Sequence, residues 1–421
     1  MTIGYITSRF PKLTETFVLY EIVAMERHGV ATTLYPLLLE KQKVVHPEVE
    51  SLNGRVVFHP FVSPAILAAV AHFARRRPGA LWGALAEVLR GTWGSANFFV
   101  GAIGIFPKAV RMAYEMERKG VTHVHAHFAN HPTVAALIVH RLTGIPFSFT
   151  AHGHDIHVER RMLREKVDAA AFAVMISEYN RRLVLDECPG TDAAKLRVLH
   201  CGADTALFAP EERPEDHGTL SIVCVGSFIE VKGHRHLVEA CRLLRTRGTR
   251  VHCHLVGDGP GREALVAQVA DAGLGGEVTL HGPLARPAVA SLLRRCDVIV
   301  QPSVPTRRGS REGIPVSVME GMACGLPAVA SRISGIPELV DDGVNGFLVP
   351  PADPESLAGA LEKLAHDPER RRRMGRAARA KVLESFDLSR NAARLADLIR
   401  EVPRTAIPAR AFGVSRREAR A

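Results

Sequence analysis

Ser221-Ile222-Val223-Cys224-Val225-Gly226 is a run of small and β-branched side chains closed by a glycine. It follows Pro210-Glu211-Glu212-Arg213-Pro214-Glu215-Asp216-His217-Gly218, a polar, proline-rich stretch with linker composition. A short apolar run bounded by turn residues reads as a buried strand, and this one restarts a rhythm already present in the first half. Strands are expected near 2–7, 32–39, 56–59, 122–127, 146–151, 171–176 and 196–201, then at 221–226, 250–256, 277–281, 297–301, 327–330 and 347–349. Helical patterns such as Thr14–His28 and Pro132–Thr143 fall between most of them. That alternation argues for βαβ units and parallel sheets. The reading is α/β, with doubly wound domains at 1–203 and 220–385, a linker at 204–219, a last helix over 386–402 and a basic tail at 403–421. Ligands on such sheets sit outside the carboxyl ends of the strands, so the cleft between the facing domains is the expected site.

Chemistry is concentrated in Arg311-Glu312-Gly313-Ile314-Pro315-Val316-Ser317-Val318-Met319-Glu320. Proline suits a first helical position, where its missing N–H costs nothing and its φ is pre-set, which predicts a helix over 315–324. Glu312 then lies in the loop at the positive end and Glu320 about two turns along, a rise of up to roughly 12 Å. A glycosidase carboxylate pair stands roughly 5–9.5 Å apart, so this spacing does not fit one. It suits two carboxylates gripping separate hydroxyl-bearing parts of one long ligand, with the helix N-terminus favouring an anionic group between them. A nucleotide sugar has that layout. Two glutamates so spaced are ordinarily solvated surface residues, and the wording around them decides the matter.

Glu312 to Glu320, followed by Met322-Ala323-Cys324-Gly325-Leu326-Pro327 and Ser334-Gly335-Ile336-Pro337-Glu338, resembles the E-x7-E region of the retaining glycosyltransferases of family four. The resemblance implies the GT-B arrangement of two Rossmann-like domains, with the last helix crossing back to the first. It implies that Glu312 holds sugar hydroxyls and Glu320 the ribose, with Gly313, Ile314 and Pro315 around the donor. Val225-Gly226-Ser227-Phe228-Ile229-Glu230-Val231-Lys232-Gly233 is similar to the family's strand-loop VGRLxxxKG, whose Arg and Lys neutralise the leaving diphosphate. Lys232 matches the Lys, and Gly226 the strand-end glycine. Ser227 stands where the family has Arg, so either Arg311 substitutes or the leaving group is held less tightly. Gly257, in Leu255-Val256-Gly257-Asp258-Gly259, is expected to approach the base through backbone. Gly335 is expected to approach the donor.

In the first domain, Phe10-Pro11-Lys12-Leu13-Thr14-Glu15-Thr16-Phe17 resembles the family's FPxxSETF opening. Thr14 reads as a helix N-cap, and the resemblance puts Thr14, Glu15 and Thr16 near the diphosphate or acceptor. Phe147-Ser148-Phe149-Thr150-Ala151-His152-Gly153-His154-Asp155 resembles SFTAHxxD, in which the histidine, here His152, lies beside the transferring sugar with Asp155 as its neighbour. His125 and His127 share a strand face in the manner of metal ligands. No third ligand stands at a sensible spacing, the family works without metal, and neither metal nor other cofactor is expected.

Apolar residues make up 47% of the 421 and charged residues 23%, the balance of an ordinary globular protein. The seven scattered cysteines, without a C-x-x-C pair, fit a reducing cytosol. Thr2–Thr7 reads as a strand, not a leader, and no apolar run reaches spanning length. A net charge of +10 calls for an anionic partner. The clusters Arg75–Arg77, Arg370–Arg373 and Arg416–Arg417 lack interleaved aromatics, so nucleic acid is not expected. Residues 61–118 mix Phe61, Leu67, Trp82, Trp93 and Phe99 with Arg75–Arg77, Arg90 and Lys108. They read either as a helical elaboration on the domain's own core or as an amphipathic surface for the inner face of the membrane. The expected partners are a nucleotide sugar and a glycan acceptor, the latter carried on a polyprenyl diphosphate, and the work would be surface-glycan or exopolysaccharide synthesis. The rivals are a catalytically inactive scaffold and a nucleotide-sugar epimerase.

Overall fold

The computed structural model describes residues 1–11, 16–40, 49, 52, 54–211, 218–307 and 309–403. Two parallel sheets of six strands carry the fold. The first holds β1 Thr2–Phe10, β2 Ala31–Leu39, β3 His123–His127, β4 Phe147–Ala151, β5 Phe172–Met175 and β6 Leu196–Val198, in the order β2-β1-β3-β4-β5-β6. The second holds β7 Leu220–Val225, β8 Val251–Val256, β9 Val278–Gly282, β10 Val298–Gln301, β11 Ala328–Ser331 and β12 Gly346–Val349, in the order β12-β11-β10-β7-β8-β9. The doubly wound α/β expectation therefore holds in both halves. The central strands β3, β4, β5, β10 and β11 are buried along their whole length, as sheets covered by helices on both faces require.

Two expected strands fall short. Residues 56–59 form no strand, because Val56 makes only an isolated bridge to Leu34. Beyond Val198 the segment leaves the sheet, and Leu199 keeps a single amide bond to the Met175 carbonyl. Strand order reverses at β1/β3 and at β7/β10, and at such switch points connections leave to opposite faces and open a crevice.

The helices that matter below are α1 Thr16–Arg27, α2 Pro64–Arg76, α3 Pro78–Thr92, α4 Ala96–Arg118, α5 Glu178–Glu187, α6 Arg286–Arg295, α7 Val316–Ala323 and α8 Leu388–Glu401. The insertion is α2, α3 and α4, opened by Ser63 and Ser95 caps on α2 and α4. One side of it packs on the first sheet's core through Phe73, Leu81, Val88, Ile105 and Phe106. Leu67, Trp82, Trp93, Val100 and Ile103 stay exposed on the other. Lys108 does not join a basic surface. It is fully buried, donates to the Leu37 carbonyl, and its Nζ lies 4.5 and 4.3 Å from the ring centroids of Phe58 and Phe61. Burial pulls its pKa down to about 8.

The halves are tied in two places. Ala392, Leu395, Ala396 and Ile399 of α8 share a core with Ile3, Val18 and Ile22 of the first half. Glu338 accepts from the backbone amides of Glu178 (2.9 Å) and Tyr179 (3.0 Å) at the start of α5, and from His200 Nε2 at 3.1 Å. A carboxylate at a helix N-terminus satisfies amides that the helix leaves free.

Candidate functional site

Lys232 and Glu312 leave the second sheet where its strand order reverses, after β7 and β10. β7 runs into Gly226 and a 3₁₀ turn, Glu230–Lys232, that presents Lys232. β10 runs into Gln301, Ser303 and the loop carrying Glu312. Lys232 Nζ lies 2.7 Å from Glu312 Oε2, with only 19% and 14% of the two side chains exposed. Ser303 Oγ adds a bond to the same oxygen at 3.4 Å, and Gln301 Nε2 donates to the Lys232 carbonyl at 3.3 Å. A mostly buried, charge-assisted pair of this kind is held in place rather than merely adjacent.

Gly313 brings this loop against the first half. A β-carbon there would stand 3.0 Å from the His152 carbonyl and 3.0 Å from Ile176. A β-carbon on Gly335 would press on Ser177 at 2.8 Å. Gly257 is more constrained still: its φ is +144°, and a β-carbon would lie 2.0 Å from the Gly226 carbonyl oxygen. Only glycine fits there.

Pro315 differs from expectation by one position. Its ψ of 123° makes it the cap, with α7 beginning at Val316, and the amides of Val318 and Met319 bond back to its carbonyl. Proline still serves the helix start, because the residue before the first helical position needs an extended backbone. Glu320 lies within α7. Its carboxylate faces Arg286, with Nε to Oε1 at 3.8 Å and 13% of each side chain exposed. Burial pushes the Glu320 carboxyl up to about 7, against the pull of Arg286 and with a push from Asp204. The Arg286 guanidinium lies 3.7 Å from the centroid of the Tyr20 ring, which comes from α1 across the cleft.

The first half supplies His152 at the end of β4. Its ring packs between Phe17 and Phe128, with centroids at 4.6 and 4.7 Å. Its Nε2 is 3.1 Å from His127 Nδ1, and His127 Nε2 is 3.1 Å from Glu21 Oε1. The Tyr5 hydroxyl donates to that same glutamate oxygen at 3.3 Å. Burial first, and His127 second, hold His152 well below the ordinary histidine range. Asp155 does not face the cleft. Its carboxylate accepts from the backbone amides of Ala129, His152 and Gly153, so it shapes the turn that carries His152.

The structure places Arg311 and Ser227 in different surroundings. Arg311 is exposed and donates to the Tyr179 hydroxyl at 3.0 Å, while Ser227 is a partly exposed loop residue. Thr14 and Glu15 lie outside the described residues. Thr16 opens α1, and its side chain lies outside them too.

Sequence reasoning missed Glu21, Tyr20 and Arg286, and it found no third group beside His125 and His127. The fold provides one, for Glu21, His125 and His127 offer ligand atoms all within 4.8 Å of one another. Each histidine nitrogen is already engaged: His125 with Ser148 and Thr150, His127 with His152 and Glu21. The donor set is that of a closed hydrogen-bond network. No local pattern could have signalled it, because His127 and Glu21 are 106 positions apart in the chain.

Residues 208–381 match the family model described as glycosyl transferases group 1, and residues 69–207 match glycosyltransferase family 4. The chain is 34% identical over 209 residues to the amylovoran biosynthesis glycosyltransferase AmsK of Erwinia amylovora, covering 50% of this chain and 51% of that one. It is 30% identical over 293 residues to the D-inositol 3-phosphate glycosyltransferase of Paenarthrobacter aurescens, covering 64% of this chain and 70% of the relative. The chain spans about half the length of the exopolysaccharide relatives it matches. Anabaena HepE, solved in complex with UDP, has the same fold at a TM-score of 0.70 with 16% identity, covering 95% of this chain and 100% of that one.

Proposed function

The chain belongs to the group 1 glycosyltransferases, and we propose that it moves a hexose from a nucleoside diphosphate sugar to a glycan acceptor with retention of anomeric configuration. The observation that carries this reading is the Lys232–Glu312 pair, 2.7 Å apart, on a loop whose Gly313 comes up against the His152 carbonyl. A cation and a carboxylate from the second half meet the backbone of His152 from the first half there.

In this reading Lys232 neutralises the departing diphosphate. Glu312 releases the lysine and takes sugar hydroxyls when donor binds. Gly226, Gly257, Gly313, Ile314, Pro315 and Gly335 bring backbone close to the donor, with Ser227 in the loop beside Lys232. His152 flanks the sugar. Glu320 receives the ribose hydroxyls beside Arg286. The nucleophile is the acceptor hydroxyl, which attacks on the face the diphosphate leaves, and a diphosphate oxygen takes its proton. No carboxylate attacks the sugar. Catalysis is then positioning plus electrostatic stabilisation of the leaving group, and the protein supplies the charge without a bound metal. The turn shaped by Asp155 borders the acceptor side in this reading, and Thr14, Glu15 and Thr16 are assigned to the diphosphate or acceptor on the sequence resemblance alone.

The acceptor is proposed to be lipid-linked, with the enzyme working on the inner face of the membrane. The exposed Leu67, Trp82, Trp93 and Val100, with Arg75, Arg76 and Arg90 exposed on the same insertion, support this. Aromatic and basic side chains together suit an anionic bilayer surface. No described helix is long and apolar enough to cross a membrane. The relatives of exopolysaccharide synthesis support the same setting.

The test is a screen of UDP-, GDP- and ADP-sugars without added metal, read by thermal shift and by release of nucleoside diphosphate. One nucleotide is expected to raise the melting temperature and to be released slowly from its sugar. No shift with any of them would favour an inactive scaffold, and sugar isomerisation without acceptor an epimerase.

A further inference from the structure

We infer that Glu21 and His127 are positioning residues that fix the ring and the tautomer of His152, leaving its Nδ1 as a hydrogen-bond acceptor. Three distances carry this: Glu21 Oε1 to His127 Nε2 at 3.1 Å, His127 Nδ1 to His152 Nε2 at 3.1 Å, and Tyr5 hydroxyl to Glu21 Oε1 at 3.3 Å.

The proton order follows from the end of the chain. An ionised carboxylate only accepts, so His127 Nε2 carries a hydrogen. With its one hydrogen at Nε2, His127 accepts at Nδ1, and His152 Nε2 donates to it. The single remaining lone pair of His152 is then at Nδ1. Cys201 Sγ lies 4.0 Å from it, a weak partner that a sugar hydroxyl outcompetes. The ring cannot turn freely, because it stacks on His127 at 5.3 Å and is held between Phe17 and Phe128. Asn180 Nδ2 also bonds the His152 carbonyl at 3.3 Å, which steadies the backbone. Orienting a histidine from behind through a second group that ends in a carboxylate is a general device for presenting one defined nitrogen.

The hydroxyl taken by Nδ1 belongs to the transferring sugar, a step that rests on the proposed transfer reaction; the tautomer does not. The experiment therefore has two arms. In full-length protein labelled with ¹⁵N-histidine, the resonances lost in His152→Gln identify His152. They are expected to show a protonated Nε2 and a bare Nδ1 at neutral pH. Glu21→Gln is expected to abolish this single-tautomer pattern, and in the donor hydrolysis assay to lower kcat about tenfold with KM changed less than twofold. A wild-type His152 protonated at Nδ1, or at both nitrogens, overturns the inference whether or not the variant folds. So does a pattern unchanged in Glu21→Gln, or a kcat equal to wild type. If no nucleotide sugar is hydrolysed, the transferase reading fails while the spectral arm still decides the tautomer.

Discussion

Lys232 and Glu312 form an ion pair at 2.7 Å, although one hangs from the end of β7 and the other from the loop after β10. The two loops belong to strands that are neighbours in the sheet but far apart in sequence. In the proposed reaction this pairing holds the lysine for the departing diphosphate.

Removing either partner leaves a charge in a site where neither side chain is more than a fifth exposed. Lys232→Ala is expected to lower kcat by on the order of 10²–10³-fold, the loss typical for one group that stabilises developing charge. Glu312→Ala is expected to lose turnover on a similar scale. Steady-state release of nucleoside diphosphate measures both.

Glu320 has a folded pKa of about 7 against an ordinary 4.5, raised by burial. A raised carboxyl favours the folded state while protonated. That contribution is fully present below about pH 4.5 and is lost as pH rises towards 7, a change of about 3 kcal/mol. Glu320→Gln is expected to flatten this part of the stability–pH curve, measured by urea unfolding from pH 4.5 to 7.5. If the ionised carboxylate takes the ribose hydroxyls, nucleotide affinity of the wild type rises over the same window, and Glu320→Ala weakens it more than it slows turnover.

Glu338 braces the two halves by accepting from His200 and from two amides at the start of α5. Burial pushes its carboxyl up, yet the bonds from His200, Glu178 and Tyr179 hold it below the usual value. Its contribution is present above the ordinary carboxylate pKa and is lost as pH falls through its lowered one. Glu338→Ala strands those donors and is expected to cost about 1–3 kcal/mol. Urea unfolding at pH 7 checks it.

Trp82 and Trp93 are 57% and 72% exposed on the insertion. The double variant Trp82→Ser, Trp93→Ser is expected to bind anionic vesicles at least tenfold more weakly while melting within a few degrees of wild type. Co-sedimentation with vesicles containing phosphatidylglycerol reads this out. Equal binding would remove the membrane role from this face.

The repeating strand and helix pattern was legible because both sheets are parallel and covered on both faces, so their strands are short continuous apolar runs such as Ile222–Val225. Residues 56–59 misled for the opposite reason: Val56 has strand composition but only one bridge partner, and composition does not reveal the neighbour. Glu312, Glu320 and Lys232 could be picked out because they sit in local wording. Glu21, Tyr20 and Arg286 could not, since their roles arise only when α1 faces β3 and α6. Lys108 shows a further limit. A lysine among aromatics reads as surface, whereas here its ammonium is sealed over Phe58 and Phe61.

The most direct test of the central claim is to follow the anomeric proton of the sugar by NMR as the enzyme hydrolyses an α-linked nucleotide sugar without metal. The account predicts that the first sugar released is the α anomer, before mutarotation, and that Lys232→Ala abolishes the signal. Release of the β anomer, or equal rates in the variant, would contradict it.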